Sequence, residues 1–195
     1  MDLFFELTKS LASPLTILDV GGLSAFWQIA GIPAGWKVHL INLMEQHDLP
    51  NDCTCEIGDA CNLPYPDRSW DVVFSNSVLG HVGSWANQKR MTSEIRRIGV
   101  RYFVQTPNQW FPLDWRTLIP FFHWLHPSIQ AWAHTKVRIG TYGRAKSYDE
   151  AVLWSTRVRN ISYQEAQVLF PVSTIQRERV LGFCKSFVIH NFDYP

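Results

Sequence analysis

Four short stretches hold the side chains whose types and spacing could do chemistry. They are Asp19-Val20-Gly21-Gly22, Asn42 with Glu45 close behind, Gly58-Asp59-Ala60, and Ser75-Asn76-Ser77-Val78-Leu79-Gly80-His81-Val82. Each follows a run of strand character. Paired glycines after Ile17–Val20 read as a tight turn from strand to helix, where backbone meets a ligand closely. Asp19 can hold that loop or a ligand's cationic end. Asn42 can hold ribose hydroxyls. Asp59 can accept from an exocyclic amine while the Ala60 N–H donates to a ring nitrogen, and Leu63 can cover the ring face. The ligand these features suit has a flexible charged end, a ribose and an amino-bearing ring. Taken alone, Ile17–Gly22 reads equally as a buried parallel strand with an ordinary turn.

Positioning these residues requires strands whose carboxyl ends converge. Strands are expected at Thr16–Val20, Trp36–Asn42, Cys53–Ile57, Trp70–Ser75 and Tyr102–Thr106. The run Trp70–Ser75 is apolar enough to be central in a parallel sheet. Leu3–Leu11 has near-helical apolar spacing and meets Ser13-Pro14. Ser24–Ala30 suits a short helix before Gly31. Gln88–Ile98 places Met91, Ile95 and Ile98 on one face, with Gly99 as its stop. Glu45–Asn51 is polar loop, and Leu63–Arg68 is a loop set by prolines. Pro107–Ser147 breaks the alternation: it carries Pro112, Pro120 and Pro127 between aromatic pieces and reads as an insertion over the sheet's carboxyl edge. Ser147 with Glu150, and Ser162 with Glu165, have capping-box spacing for helices through about Ser155 and Phe170. Ile175–Val180 and Phe183–Asn191, joined at Leu181-Gly182, read as a terminal antiparallel pair.

The chain has 195 residues, enough for one well-packed domain, here taken as 1–195 with the insertion at about 107–147. A net charge of +1 disfavours nucleic acid or an acidic polymer as partner. Cys53, Cys55, Cys61 and Cys184 lack zinc-site spacing, so no metal is expected and reduced thiols in a cytoplasmic protein fit best. Cys53 and Cys55 would face one side of their strand. Met1-Asp2 opens no secretory leader, and no apolar run spans a bilayer.

With these motifs in order, the chain resembles the class I S-adenosylmethionine-dependent methyltransferases, in a small-molecule, methyltransferase-11-like branch. The resemblance rests on Ile17–Gly22, Gly58-Asp59-Ala60, Leu63–Ser77 and His81-Val82. It extends to Tyr102–Asn108, Trp110-Phe111-Pro112, Glu178–Gly182 and Lys185-Ser186. It implies a Rossmann-like three-layer α/β sandwich with a mostly parallel seven-stranded sheet, an antiparallel C-terminal strand, and the aromatic helical insertion before the last helix. It implies S-adenosyl-L-methionine as cofactor, held by Asp19, Gly21, Gly22, Asn42, Leu43, Asp59, Ala60, Asn76 and Ser77. A Gly-x-Gly-x-x-Gly dinucleotide turn is absent. Two positions depart from the family pattern: Asn42 stands where an acid usually meets the ribose, with Glu45 a candidate substitute, and Gly80 stands where Glu often precedes the histidine.

The chemistry expected is methyl transfer to O or N of a small molecule or sugar-containing intermediate. His81 is the candidate base, with a structural histidine as the competing reading. Gln105, Thr106, Asn108 and Trp110 are candidate acceptor contacts, or else they finish the sheet edge. His123 and His126 have no third ligand. The aromatic insertion reads as a lid over an apolar acceptor pocket, as helical core, or as a membrane-surface or partner-binding face. Arg138, Arg144, Lys146, Arg157 and Arg159 would suit an acidic acceptor, or form a solvated face. Base methylation is disfavoured because Ser75-Asn76-Ser77 replaces the Asp/Asn-Pro-Pro-Tyr/Phe pattern. The alternative function is a non-catalytic methyltransferase-like module that binds a partner through the insertion.

Overall fold

A computed structural model describes residues 2–193. Seven strands form one sheet in the order β3-β2-β1-β4-β5-β7-β6. Their spans are β1 Leu15–Val20, β2 Trp36–Asn42, β3 Cys53–Ile57, β4 Trp70–Asn76, β5 Gly99–Pro107, β6 Thr174–Val180 and β7 Phe183–His190. The first five strands are parallel; β7 runs antiparallel to both β5 and β6. Strand order reverses at β1, between β2 and β4. Crossovers therefore leave on opposite sides and open a crevice at the carboxyl ends there.

Period-two alternation splits the central strands between two cores. Leu18, Val20, Val73, Tyr102 and Val104 pack with Met91, Ile95 and Ile98 of helix α3 (Trp85–Ile98), and with Leu169 of α6 (Tyr163–Leu169). Ile17, Val72, Phe74 and Phe103 face Phe4 of α1 (Asp2–Thr8) and Trp27 of α2 (Ser24–Ala30). Cys53 and Cys55 share this second face, as their spacing predicts, and all four cysteines are free thiols. The loops expected at 45–51 and 63–68 are loops, so the β2–β3 and β3–β4 crossovers carry no helix.

Several boundaries differ from expectation. Helix α1 ends at Thr8, whose hydroxyl turns back to Phe4 O at 2.8 Å, well before Pro14. Helix α3 begins three residues earlier than predicted, because Ser84 caps it by accepting from Asn87 N at 3.1 Å. Gly99 does not close that helix in a left-handed turn. It is extended, at φ −90°, and starts β5. The insertion is mostly irregular, with a 3₁₀ turn at Phe122–Trp124 and one helix, α4 (Pro127–Lys136). Two helices follow it, as the two capping signals predict: α5 (Tyr148–Thr156) packs on α4 around Ala131, Ala145 and Ala151, and α6 returns to the sheet. At α5 only half the expected capping box forms. Ser147 accepts from Glu150 N, but the Glu150 carboxylate accepts from Lys146 N instead. At Ser162–Glu165 both halves form. The β6–β7 turn has φ of 50° at Leu181 and 85° at Gly182, the paired positive values a two-residue hairpin needs.

Candidate active site

The carboxyl ends of β1, β2 and β4 enclose a cleft of about 550 Å³ lined by Gly21, Asn42, Leu43, Asp59, Ala60, Asn76, Ser77 and His81, among others. Seven of the nine residues expected to hold the cofactor thus meet in one place. Gly21 has φ +78°, and its N–H donates to Ile41 O at 2.7 Å, which folds the turn back onto β2. A Cβ on Gly21 would stand 2.6 Å from the Val78 methyls, so only glycine lets these loops approach.

The remaining two residues lie just behind the wall. Asp19 shares the sheet face of Ile17 and is therefore aimed at α2 rather than into the cleft; it is 2% exposed. Trp27 Nε1 donates to Asp19 Oδ2 at 2.8 Å, while Asp19 Oδ1 has no partner. Burial pushes its carboxyl up to about 7, against the indole hydrogen bond. Gly22 covers this carboxylate so closely that a Cβ there would fall 2.2 Å from Oδ2.

Asn42 is committed to the protein. Its Nδ2 donates to Gly22 O at 2.9 Å and its Oδ1 accepts from Met44 N at 3.3 Å. The side chain braces the glycine turn and also lines the cleft, where the ribose contact is expected. An acid here would lose the donor to Gly22 O. Glu45 is exposed and absent from the cleft lining, so it does not replace the missing acid. Asp59 uses Oδ1 to accept from Cys61 N at 2.8 Å, and the exposed remainder of the carboxylate stays open to the cleft.

Gly80 also has a structural cause. A Cβ there would meet Asn160 Oδ1 and Val158 Cγ1, each at 3.1 Å. The segment before α6 occupies the place of the missing Glu side chain. Gly80 O accepts from Arg159 N at 2.9 Å, and Gln88 Nε2 donates to both Leu79 O and Arg159 O. Arg159 is itself paired with Glu165 and Gln88, so it is not part of an open basic region.

Ser77 and His81 also line a second cavity of about 470 Å³. Its walls include Gln105, Asn108, Phe111, Asp114, Arg116 and Lys185. Gln105 accepts from Ser77 Oγ at 2.7 Å and donates to Glu178 at 3.2 Å. Glu178 also accepts from Ser186 Oγ. Asn108 is buried with its amide bonded to Cys184 O and Trp110 N, so it shapes the strand edge rather than offering free groups. Thr106 is buried and does not line this cavity. Trp110 lies elsewhere, in a third cavity of about 320 Å³ that shares Asp114, Arg116, His123 and Asn160 with the second.

The buried Asp114–Arg116 pair between these chambers escaped sequence reasoning. Arg116 Nε lies 2.8 Å from Asp114 Oδ1, and Nη2 pairs with Oδ2. Burial pushes the Asp114 carboxyl up, but the guanidinium holds it below its ordinary value. One signal was available: Asp114 is the only acid between residues 107 and 147, beside five Lys and Arg. Burial, Arg116 and Arg157 lower the pKa of His81 below its ordinary 6.5, against Asp114, so its imidazole is neutral at pH 7. His123 belongs to the 3₁₀ turn, while His126 caps α4 by accepting from Ser128 N, so they do not share a helix face. Among the described residues no group of His, Cys, Asp or Glu could hold a metal ion.

The residues present fit an adenosyl amino acid. The orphaned Asp19 Oδ1 beneath the turn can answer an ammonium, the closed-down glycines admit backbone contact, and the open Asp59 carboxylate suits an amine. Residues 37–100 match the methyltransferase-11 family, described as a methyltransferase domain. No curated protein matches the sequence. Among solved structures, a SAM-dependent methyltransferase from Aquifex aeolicus superimposes with a TM-score of 0.54 at 13% identity, over 97% of this chain and 86% of that one. The PH0226 protein from Pyrococcus horikoshii gives 0.58 at 13% identity, over 96% and 86%. A Haloferax volcanii methyltransferase complex with the Trm112 activator gives 0.55 at 11% identity, over 96% and 86%. These likenesses establish the fold. Over residues 37–100 the chain is thus similar to a methyltransferase domain, and over nearly its whole length it shares the fold of solved proteins that include an S-adenosylmethionine-dependent methyltransferase.

Proposed function

We propose that the chain methylates an oxygen or nitrogen of a small, partly apolar molecule or sugar-containing intermediate with an acidic group, bound in the second cavity. The observation that carries this reading is the wall shared by the two cavities: Ser77 and His81 border both. When bound, S-adenosylmethionine supplies a methyl carbon on a positively charged sulfur, open to in-line displacement. Gly21, Gly22, Asp19 and Asp59 would hold it. Phe111, Leu113 and Trp115 supply apolar walls for the acceptor, and Lys185 supplies a cation for its acidic group.

His81 takes the acceptor's proton at a ring nitrogen as the acceptor forms its new bond. Its lowered pKa keeps the base form available at neutral pH. Ser77, bonded to Gln105, orients the attacking atom, because alignment at the reacting centre is what the protein adds to an already reactive donor.

Transfer of labelled methyl to a panel of phenols, sugar phosphates and carboxylated amines tests the reading. A turned-over acceptor should lose about 10²–10⁴ in kcat with His81→Ala. The acidic limb of the wild-type pH profile, centred below 6.5, should vanish with it. An unchanged limb would remove His81 as base. Transfer to nucleic acid alone would remove the acceptor class.

A further inference from the structure

The insertion turns the usual logic of a surface helix inside out. On α4 the outward positions Ile129, Trp132 and Lys136 recur at helical spacing, with Ile129 51% and Trp132 59% exposed. The inward positions are Gln130, Ala131 and His134. Gln130 is bonded there, donating to His123 O and Leu125 O, so the polar side is the one built to be buried. In water such a helix would turn its aromatic and aliphatic side inward. The preceding segment continues the pattern with exposed Trp115, Leu118, Ile119, Phe121 and Trp124. Every exposed tryptophan of the described residues lies between 110 and 132, although the chain has nine.

Charge says what covers this face. Residues 107–147 hold five Lys and Arg and one acid, a balance of +4, so the other residues carry −3 within the total of +1. The one acid, Asp114, is buried and paired with Arg116. Lys136, Arg138, Arg144 and Lys146 are exposed and have no ion pair among the described residues. Indole rings beside unpaired cations match the lipid–water boundary, where the rings sit at headgroup depth and cations meet lipid phosphates. Protein interfaces also favour Trp and Arg but are depleted in Lys, whereas two of the four exposed cations here are Lys136 and Lys146. Among the described residues no helix is long and apolar enough to cross a membrane, so the contact would be interfacial.

We propose that the insertion docks on an anionic lipid bilayer, with residues 110–132 entering the headgroup region and Lys136, Arg138, Arg144 and Lys146 pairing with lipid phosphates. This surface stands whether or not the chain methylates anything. It adjoins the acceptor cavity, since Trp115 belongs to both and Leu113 lies beside them.

Flotation of the full chain with vesicles of phosphatidylcholine, with and without about a third phosphatidylglycerol, tests the proposal. Binding to the anionic vesicles should be at least about tenfold tighter and should weaken with added salt. The exposed-site variant Lys136→Glu/Arg138→Glu should lose about tenfold or more on anionic vesicles, with unchanged circular dichroism. Trp115→Ser/Trp132→Ser should weaken binding to both compositions. Equal flotation with both vesicle types, or none, overturns the proposal. So does self-association in sedimentation that the Trp variants abolish while vesicles stay unbound.

Discussion

Asp19→Asn separates the buried carboxylate's charge from its shape. Burial raises the folded pKa from 3.8 to about 7. The unfolded chain ionises Asp19 near its ordinary value, so between about pH 4 and 7 the unfolded state releases a proton that the folded state keeps. The stabilising contribution is therefore fully present below the unfolded value and is lost as pH rises through the folded one. That rise, at about 1.36 kcal/mol per pH unit, amounts to roughly 4 kcal/mol, a large share of a typical domain's stability. The substituted asparagine keeps an acceptor for Trp27 Nε1 and cannot ionise. Urea unfolding followed by circular dichroism, from pH 4.5 to 8, should show the mutant gaining on wild type by up to that amount. Groups that titrate alike in both proteins cancel in the difference. Binding of S-adenosylhomocysteine should shrink the gap, because its ammonium favours the ionised carboxylate. A pH-independent difference between the two proteins would refute this account of Asp19.

Gly22→Ala should displace the Asp19 carboxylate and weaken S-adenosylhomocysteine binding by about tenfold or more, through overpacking of about 1–3 kcal/mol, measured by calorimetry on folded protein. Asn42→Asp, which would supply the acid usual in the methyltransferases the chain resembles, should weaken cofactor binding because the new carboxylate faces Gly22 O; tighter binding would show that residue 42 meets the ribose directly. Gly80→Glu should lower stability by about 1–3 kcal/mol in urea unfolding by pushing against Val158 and Asn160, rather than improving cofactor affinity.

The parallel sheet was legible because its signals are local. Strands β2 and β3 were bounded correctly from apolar runs and flanking turns, and the order of glycines and acids placed the crevice. What was not legible depends on partners distant in sequence. Nothing local to Asn42 announces that its amide also braces Gly22 O, twenty residues away. Gly80 looks like a lost acid until residues 158–160 are seen in its place. Asp19 stands in the first motif by sequence, but strand parity sends its carboxylate toward Trp27, and the consequence of that burial depends on tertiary packing. In the insertion, prolines break the chain into short pieces, so the Asp114–Arg116 pair has no periodic signal, and the helical spacing of Ile129, Trp132 and Lys136 does not say which side of α4 is buried.

The central claim is that the cleft between β1, β2 and β4 holds S-adenosylmethionine through the glycine turn and Asp59. Isothermal titration of the folded chain with S-adenosylmethionine and S-adenosylhomocysteine tests it most directly. The account predicts binding of both at one site per chain, with affinity reduced about tenfold or more in Asp59→Ala as a charged hydrogen bond is lost. No heat from either ligand, or an unchanged affinity in folded Asp59→Ala, would contradict it.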